Sequence, residues 1–499
     1  MSFFWVTEVV PLAVTALIPL VLYPLLGVAK ATDVANTYFS DSNFVFFGSM
    51  VMAAAVEAGR LHERIALRIL NITGSNPRWL MLGFMCATNL LSLWISNTGT
   101  TAMMVPIMLA VIRELENCRK FDDPEAHLKH IEPQHVTDEI DIDSIPSDIR
   151  RVYKGLLLSI CFTASIGGTG TLIGTGSNVI LSGFLEEKYG SNNPVTFSSW
   201  ILFAFPQMIA MFIVCWIWLQ ICFIGLRKRD MSGEDTISRT LKKKYEQLGP
   251  IRYEERSILV VFVALIILWL FRHPKFIPGW GDLFRDEYVS DGTVAITASV
   301  LLFILPADNP IKTKPKEGQY RTIMTWAIMK EKFAWSTLLL LGGGYGMAYG
   351  VESSGLSHLI SQKLSGIDNL PDWLFVCIAC VLVTSLSEFS SNVATASIFV
   401  PMVQSIAVEK NVNPLKYMLP VTLSTSFAFM FPAGVPPNAI VFGTHMLSVL
   451  DMFLGGCMLN ICALIFTQLT MMTVANAVFD LNTLPEWAIP ANTTAIPHA

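Results

Sequence analysis

Residues 94–106 read WISNTGTTAMMVP, and residues 389–401 read FSSNVATASIFVP, which is the same pattern 295 positions later. In both copies a Ser-Asn pair and small polar residues interrupt a long apolar run. Asn, Thr and Gly weaken a helix interior, because they compete for backbone hydrogen bonds or leave the backbone too free. Each copy therefore predicts a turn between two short helices. A pair of such interruptions in corresponding halves of a chain is typical of a transporter binding site.

The composition excludes a soluble globular protein. Of the 499 residues, 53% are hydrophobic and 15% are charged. Apolar runs such as 11–28 and 201–226 approach or reach the ~20 residues that a helix needs to cross ~30 Å of hydrocarbon. We therefore predict an all-α polytopic membrane protein, and no cleavable signal peptide is evident. The nine cysteines show no metal-ligand spacing, which favours core packing over redox or zinc chemistry.

The duplication extends beyond the opening motif. At the offset of 295 residues Glu57 matches Glu352, and at a shorter offset of 260 residues Asn178 matches Asn438. The difference arises from a polar loop that we predict over 112–154 in the first half. The sequence thus predicts two inverted repeats, each with a re-entrant hairpin and a broken helix.

The apolar runs and their interruptions set the predicted boundaries. The first repeat covers 1–226, a cytoplasmic loop 227–256, the second repeat 257–479 and an extracellular tail 480–499. The hairpins lie at about 79–112 and 370–408, and the broken helices at about 155–186 and 417–447. We expect 4–28 to form one membrane segment and 57–68 an amphipathic helix in the membrane interface, with Arg64 on its polar side. The span over 257–271 has no partner in the first half, so we expect an N-terminally shortened chain.

Lysine and arginine positions predict the orientation in the membrane. If each interrupted hairpin returns to its own side, the loops on one side carry 26 of the 34 Lys and Arg residues and those on the other carry 8. The richer side is expected to be cytoplasmic. The C-terminal tail then lies outside, where Asn492 begins a glycosylation sequon.

The interruptions themselves carry uncharged oxygen groups and no Lys, Arg or His. Hydroxyl, amide and carbonyl oxygens suit a small hard cation, whereas helices that begin at the interruptions suit an anion. Because no basic residue there neutralises a multivalent anion, co-bound cations would supply the charge and couple the two fluxes. Ser, Thr and Gly in membrane helices usually serve packing, but two copies in register favour a binding site over that alternative.

Three glutamates lie near these segments. Glu57 and Glu352 occupy equivalent positions near helix ends, where capping or packing is a simpler role than proton transfer. Glu388 lies beside the second motif, and we expect it to support the site.

Three segments resemble the divalent anion/sodium symporter family, and within it the INDY-type citrate and dicarboxylate transporters. They are residues 95–107 (ISNTGTTAMMVPI), 391–395 (SNVAT) and 426–441 (SFAFMFPAGVPPNAIV), and the likeness covers essentially the whole chain. The resemblance implies an elevator-type transporter, usually a homodimer, with a scaffold domain and a moving transport domain.

The resemblance also implies the residues of the site. One sodium site maps onto Ser96, Asn97, Gly174 and Gly176, and a second onto Ser391, Asn392, Ala433 and Pro436. Substrate carboxylates would be held by Asn97, Thr98, Gly176, Ser177, Asn392, Val393 and Pro436. The chain departs from the family at Ser177, where Pro is common, and at Ala433, where a larger aliphatic residue is usual.

We therefore expect a secondary active transporter of citrate, succinate and related di- and tricarboxylates in the plasma membrane, coupled to sodium. Expected partners are the carboxylate, sodium ions, the lipid bilayer and a second copy of the chain, with no nucleic acid, no bound cofactor and no enzymatic activity. A cation-independent carboxylate exchanger and a sodium/sulfate symporter remain alternatives. Val393 and Gly176 resemble the carboxylate branch. A channel or a structural membrane protein is disfavoured by the inverted, interrupted hairpins.

Overall fold

The computed structural model describes residues 1–7, 9–73, 76–122, 145–190, 193–225, 234–274, 278–285, 288–310, 320–356 and 371–488. In these ranges the regular structure is helical, apart from an isolated antiparallel bridge between Pro306 and Thr322. The predicted glycosylation site at Asn492 and most of the predicted extracellular tail lie outside the described residues.

The first half of the chain contains eleven described helices. They are α1 (Ser2–Thr7), α2 (Leu12–Thr15), α3 (Ile18–Leu25), α4 (Ala31–Thr37), α5 (Asp41–Ala58), α6 (Leu61–Thr73), α7 (Pro77–Ser92), α8 (Asn97–Asp122), α9 (Ser147–Gly168), α10 (Gly176–Tyr189) and α11 (Phe197–Leu219). A π-helical turn over Gln220–Ile224 extends α11.

The second half begins after α12 (Glu234–Gln247). It contains α13 (Tyr253–Leu270), α14 (Asp291–Ile304), α15 (Trp326–Lys332), α16 (Trp335–Ser353), α17 (Asp372–Ser387), α18 (Asn392–Glu409), α19 (Leu415–Ser424), α20 (Pro436–Phe442), α21 (Val449–Thr470) and α22 (Asn476–Phe479). A π-helical turn over Met471–Ala475 joins the last two helices, as one also closes the first half.

Long apolar helices support the prediction of a multi-pass membrane protein. Four described stretches are long and apolar enough to cross a membrane: Ala31–Ala58, Asn97–Glu116, Phe197–Ile224 and Val449–Phe479. Shorter apolar helices at Leu12–Leu25, Asp291–Ile304 and Asp372–Ser387 accompany them. Of the shorter helices, Asp372–Ser387 lies in the second predicted hairpin, whereas Asn97–Glu116 in the first is itself long enough to cross a membrane.

The predicted single membrane segment over 4–28 is wrong, because α1, α2 and α3 divide it. Pro11 precedes α2 in an extended conformation, with φ −50° and ψ 135°, and Pro19 lies in the first turn of α3. Proline lacks an N–H donor and disfavours a helical conformation in the residue before it. The apolar run therefore bends instead of crossing as one rod.

Two predicted loops are partly helical. The loop over 112–154 is shortened from both ends, because α8 continues to Asp122 and α9 begins at Ser147. Val111, Ile112 and Leu115 are buried and continue the packed face of α8. The loop over 227–256 contains α12, whose Leu241 is buried.

The amphipathic helix predicted over 57–68 begins only at Leu61, as α6, because Glu57 and Ala58 end α5. Its Arg64 does not face the polar side. Arg64 is 6% exposed, and its Nε donates to Glu255 Oε2 on α13 at 2.7 Å. Its terminal nitrogens also donate to the carbonyl oxygens of Leu248 and Gly249. A buried cation requires such partners, and the pattern of apolar residues on α6 alone did not indicate them.

Helix α16 packs closely through its glycines on both sides. A Cβ added at Gly343 would lie 2.6 Å from the Cβ of Ala16, and one added at Gly344 would lie 3.0 Å from the Cβ of Ser397 on α18. Small residues allow membrane helices to approach in this way. Helix α16 thus joins the N-terminal helices to the second hairpin.

Candidate functional site

Four helices begin at one cavity of about 480 Å³. These are α8, α10, α18 and α20, whose first residues Asn97, Gly176, Asn392 and Pro436 all line it. Unpaired N–H groups and the positive end of the helix dipole lie at a helix N-terminus. Helices α8, α10 and α18 bring such N–H groups to the cavity, whereas α20 begins with Pro436 and Pro437, which have none. The three ends with N–H groups make the cavity attractive to anions, and its volume falls within the ~300–1,000 Å³ typical of small-molecule sites.

Most of the predicted site residues meet in this cavity. Its lining includes Ser96, Asn97, Thr98, Gly174, Gly176, Ser391, Asn392, Val393 and Pro436. Ser177 and Ala433 do not line it: the Ser177 side chain is fully buried beside the first turn, and Ala433 is exposed. In the second half Pro437, the counterpart of Ser177, does line the cavity.

The paired helices of the two hairpins have matching ends. Helices α7 and α17 both start and both end 295 residues apart, and α8 and α18 begin at Asn97 and Asn392. Each hairpin therefore turns just before its Ser-Asn pair and not within the following small residues. The predicted interruptions are confirmed, with the break a few residues earlier than expected.

In the first repeat the hairpin turn is joined to the broken helix by a threonine. The Thr171 hydroxyl donates to the carbonyl oxygen of Leu93, and Thr171 Oγ1 accepts the Gly174 N–H at 3.1 Å. Trp200 Nε1 adds a bond of 3.1 Å to the carbonyl oxygen of Thr169. These bonds fix the turn that carries Gly174 into the cavity.

In the second repeat a carboxylate performs this connection. Glu388 is fully buried and accepts the backbone N–H groups of Phe429, Met430 and Phe431 at 3.0–3.2 Å. Asn460 Nδ2 also donates to it at 2.6 Å. A carboxylate that accepts several N–H groups is satisfied even when buried. The predicted supporting role of Glu388 thus has a specific geometry.

Asn178 and Asn438 hold the two broken helices in the same way. Asn178 Nδ2 donates to the carbonyl oxygens of Gly168 and Thr171 at 3.3 and 2.8 Å. Asn438 Nδ2 donates to the carbonyl oxygens of Ala428 and Phe431 at 2.9 and 3.0 Å. These two residues are the equivalents of Gly168 and Thr171 at the 260-residue offset. The repeat therefore extends to individual hydrogen bonds.

Buried oxygen atoms around the cavity remain available for a cation. The Oδ1 atoms of Asn178, Asn392 and Asn438 are buried and have no hydrogen-bond partner among the described residues. Asn97 Oδ1 differs, because it accepts from Ser92 Oγ at 2.7 Å. Uncharged amide and carbonyl oxygens are ligands for hard cations, and a buried oxygen without a partner is costly. Of these three oxygens, that of Asn392 lies in a residue that lines the cavity, and as an uncharged amide oxygen it suits a hard cation such as sodium.

Two lysines pair with the equivalent glutamates of the repeats. Lys332 Nζ lies 2.9 Å from Glu57 Oε1, and Lys188 Nζ lies 3.1 Å from Glu352 Oε1. The interpretation of Glu57 and Glu352 as capping or packing residues is therefore replaced by ion pairing. Of these four side chains, Glu57 and Lys332 line the cavity.

Gly176 meets the other repeat across the cavity. A Cβ added at Gly176 would lie 2.5 Å from Cγ2 of Val393 on α18. Gly176 does not have a positive φ angle, so its backbone conformation is open to other residues. Close contact with Val393 is what requires a glycine at this position.

One wall of the cavity was not predicted from the sequence. It comes from α5 and from the region of α15 and α16, which contribute Phe46, Ser49, Met50, Glu57, Lys332, Ser336, Thr337 and Leu340. Except for Lys332, which lies in the charged stretch 330–332 (KEK), these positions lie in apolar segments without an interruption. The sequence feature that could have pointed to α5 and α16 is the pair Glu57 and Glu352, which lie at equivalent positions of the two repeats.

Comparison with solved structures supports the fold. The YdaH transporter of Alcanivorax borkumensis, whose crystal structure has an unusual topology, aligns with a TM-score of 0.55 at 13% sequence identity. The alignment covers 91% of each chain. At this identity the likeness concerns the fold alone.

Comparison with known sequences identifies the family. The sodium-dependent high-affinity dicarboxylate transporter 3 of Caenorhabditis elegans is 42% identical, over 98% of this chain and 84% of its own length. The Na⁺/citrate cotransporter of Rattus norvegicus is 38% identical, over 98% and 91%. The family described as "Sodium:sulfate symporter transmembrane region" matches residues 1–480. The chain therefore belongs to this family of membrane transporters, the divalent anion/sodium symporters whose motifs it carries.

Proposed function

We propose that the protein is a sodium-coupled secondary transporter of di- and tricarboxylates such as succinate and citrate. The observation that carries the proposal is the meeting of four helix N-termini and two Ser-Asn turns at one cavity. The relatives named as sodium-dependent dicarboxylate and Na⁺/citrate transporters support the choice of substrate and coupling ion.

Different groups of the chain bind the substrate and the sodium ions. Backbone N–H groups at Asn97, Gly176 and Asn392 donate to substrate carboxylates, and the Asn97 and Asn392 amides and the Thr98 hydroxyl orient them. Sodium would be held at one turn by Ser96, Asn97, Gly174 and Gly176, and at the other by Ser391, Asn392, Ala433 and Pro436. The side chains of these turns are uncharged, so sodium would supply the positive charge beside the substrate carboxylates.

Val393 and Gly176 set the width between the two turns, and Pro436 begins the short helix on the far side. Ser177 acts from behind the first turn, because its buried side chain does not reach the cavity lining. Ala433 contributes to the second turn through its carbonyl oxygen. Both residues therefore support the turns without direct contact between their side chains and the substrate.

An elevator mechanism is the proposed route across the membrane. The moving domain would comprise the hairpins and broken helices of both repeats, and the scaffold would comprise the remaining helices. A second cavity of about 750 Å³, lined by Asn193 and Arg272, shares Ile173 with the site cavity. The loops that border the two cavities are predicted on opposite membrane faces, as alternating access requires.

The remaining features follow the same proposal. The protein acts as a transporter and not as an enzyme, in the plasma membrane, with its C-terminal tail outside and Asn492 available for glycosylation. Two copies form a homodimer through their scaffolds. The two repeats, 1–226 and 257–479, are joined by the cytoplasmic segment 227–256.

Labelled uptake tests the function. Cells that express the protein are given radiolabelled succinate, citrate or sulfate in sodium medium or in choline medium. The proposal predicts uptake of both carboxylates in sodium alone. Equal uptake in choline would indicate a cation-independent exchanger, and uptake of sulfate without carboxylate would indicate a sodium/sulfate symporter. Absence of uptake by protein that reaches the surface would contradict the proposal.

A further inference from the structure

Glu57 and Lys332 form an ion pair within the site cavity. Glu57 lies in the last turn of α5, and Lys332 is the last residue of α15. Their side chains are 31% and 36% exposed, and the atoms Lys332 Nζ and Glu57 Oε1 are 2.9 Å apart. Of the described residues that line the cavity, these two alone are charged. A polycarboxylate that enters from this edge therefore meets one lysine and its counter-ion.

The ion pair contributes little to the stability of the fold. A partly exposed ion pair contributes little to stability, because water already solvates both groups and long side chains lose freedom. The hydrogen bond to Glu57 raises the pKa of Lys332, so the amine is a cation at neutral pH. Lysine carries a compact charge on a flexible stem, which allows it to exchange one carboxylate for another.

We propose that Lys332 recruits the anionic substrate, with Glu57 as its exchangeable counter-ion. A substrate carboxylate takes the place of the Glu57 carboxylate at the Lys332 ammonium, and the substrate then continues to the Ser-Asn turns. The exchange conserves the ion pair, so the lysine keeps a partner at every stage. This inference rests on the proposed carboxylate function.

The proposal predicts opposite effects for the two members of the pair. Lys332→Gln leaves the Glu57 carboxylate uncompensated, so it repels the substrate and weakens binding. Glu57→Gln leaves the ammonium with only the more distant Glu331 carboxylate, at 3.8 Å, so the ammonium attracts the substrate and strengthens binding. If the pair only supported the fold, both substitutions would act in the same direction.

The experiment measures equilibrium binding of radiolabelled succinate and citrate to the detergent-purified full chain in sodium. Detergent opens both faces, so the result does not depend on orientation. At low ionic strength we expect Lys332→Gln to raise Kd about two- to fivefold, and Glu57→Gln to lower it by a similar factor, as expected for one unit charge near the path in water. Added choline chloride at constant sodium should shrink both effects by screening.

Control variants separate recruitment from general charge effects. Lys332→Arg keeps the cation and should keep Kd close to that of the wild type. Glu331 lies 3.8 Å from Lys332 but outside the cavity lining, so Glu331→Gln should have a smaller effect. Lys154 forms a 2.6 Å ion pair with Asp451 away from the cavity, and Lys154→Gln should leave Kd unchanged.

The outcomes distinguish this inference from the function on which it rests. Unchanged Kd values, or values that rise in both Lys332→Gln and Glu57→Gln, would overturn the recruiting role while wild-type binding stands. If a folded wild type bound neither anion in sodium, the proposed function would fall and the inference with it. The thermal midpoint of each purified variant shows whether it is folded.

Discussion

The hairpin turn over 93–96 and its counterpart over 388–391 hold their neighbouring loops in opposite ways. In the first repeat a loop side chain, Thr171, donates to the turn backbone at Leu93. In the second a turn side chain, Glu388, accepts from the loop backbone at Phe429, Met430 and Phe431. Leu93 and Glu388 are equivalent positions at the 295-residue offset.

The two repeats also differ one helix further on, where equivalent donors have different acceptors. Trp200 and Asn460 are equivalent at the 260-residue offset; Trp200 donates to a loop carbonyl oxygen, and Asn460 donates to Glu388. By contrast, the amide bonds of Asn178 and Asn438 are the same in both repeats. The repeats therefore share the groups nearest the broken helices and differ in the cross-links behind them.

The largest effect is expected when the carboxylate cross-link is weakened. Glu388→Gln keeps the size of the side chain but turns a donor group toward backbone N–H groups that need an acceptor. Each buried group left unpaired costs about 1–3 kcal/mol, so we expect sodium-dependent uptake to fall by at least about tenfold, which corresponds to ~1.4 kcal/mol. Uptake and thermal midpoint of the purified variant measure this.

Glu352→Gln is the matched control for that substitution. Its side chain is 58% exposed and pairs with Lys188 at the surface, so uptake should stay close to that of the wild type. Similar losses in both variants would show that the connection through Glu388 has no special role.

The next effect concerns the contact between the two repeats at Gly176. Gly176→Ala places a methyl group against Val393, and overpacking of this kind costs about 1–3 kcal/mol. Gly176→Val should reduce citrate uptake more than succinate uptake, because citrate needs more room beside the turn. Competition between the two labelled substrates measures the difference.

The double variant Gly176→Ala/Val393→Ala tests the same contact directly. Removal of the Val393 methyl groups makes room for the new one, so we expect the double variant to recover uptake relative to Gly176→Ala. Equal loss in the single and double variants would indicate that Gly176 is needed for another reason.

A smaller effect is expected at the threonine cross-link. Thr171→Val preserves shape and removes one donor and one acceptor, whereas Glu388 accepts from four donor groups. We expect a loss of stability of about 1–3 kcal/mol, with Thr171→Ser close to the wild type. If the thermal midpoint of Thr171→Val were lower than that of Glu388→Gln, the ranking of the two cross-links would be contradicted.

The smallest effect separates the two serines. Ser96 Oγ accepts the Gly99 N–H at 3.2 Å, whereas the Ser391 side chain makes no capping bond to α18. Ser96→Ala should cost about 0.5–2 kcal/mol of stability as a lost helix cap, and Ser391→Ala should cost less. Thermal midpoints in choline measure this without a sodium contribution, and equal midpoints would contradict it.

Much of this architecture could be predicted because the interruptions are local. Asn97 and Asn392 begin their helices, and Gly176 and Pro436 begin theirs, since Ser-Asn pairs, glycines and prolines act on the backbone within a few residues. Local residues also explain the wrong prediction over 4–28. The high hydropathy of this stretch favoured one membrane segment, although Pro11 and Pro19 divide it into shorter helices. Periodicity alone also did not indicate that Arg64 has a buried partner.

The contacts between distant segments could not be predicted. The partner of Glu388 lies about 40 residues away, and the Glu57–Lys332 pair joins elements from different repeats. Which side chains meet depends on helix packing, for which one sequence carries no direct signal. The cavity wall from α5 and α16 was missed for this reason.

We propose that the two Ser-Asn turns together form one sodium-coupled carboxylate site. The most direct test is uptake of labelled citrate and succinate into liposomes that contain the purified wild type, Asn97→Ala or Asn392→Ala, with a sodium gradient or with choline. We expect sodium-dependent uptake by the wild type. In each variant, at comparable amounts of folded protein, this uptake should fall by at least about tenfold. Normal sodium-dependent uptake by either variant would contradict the claim.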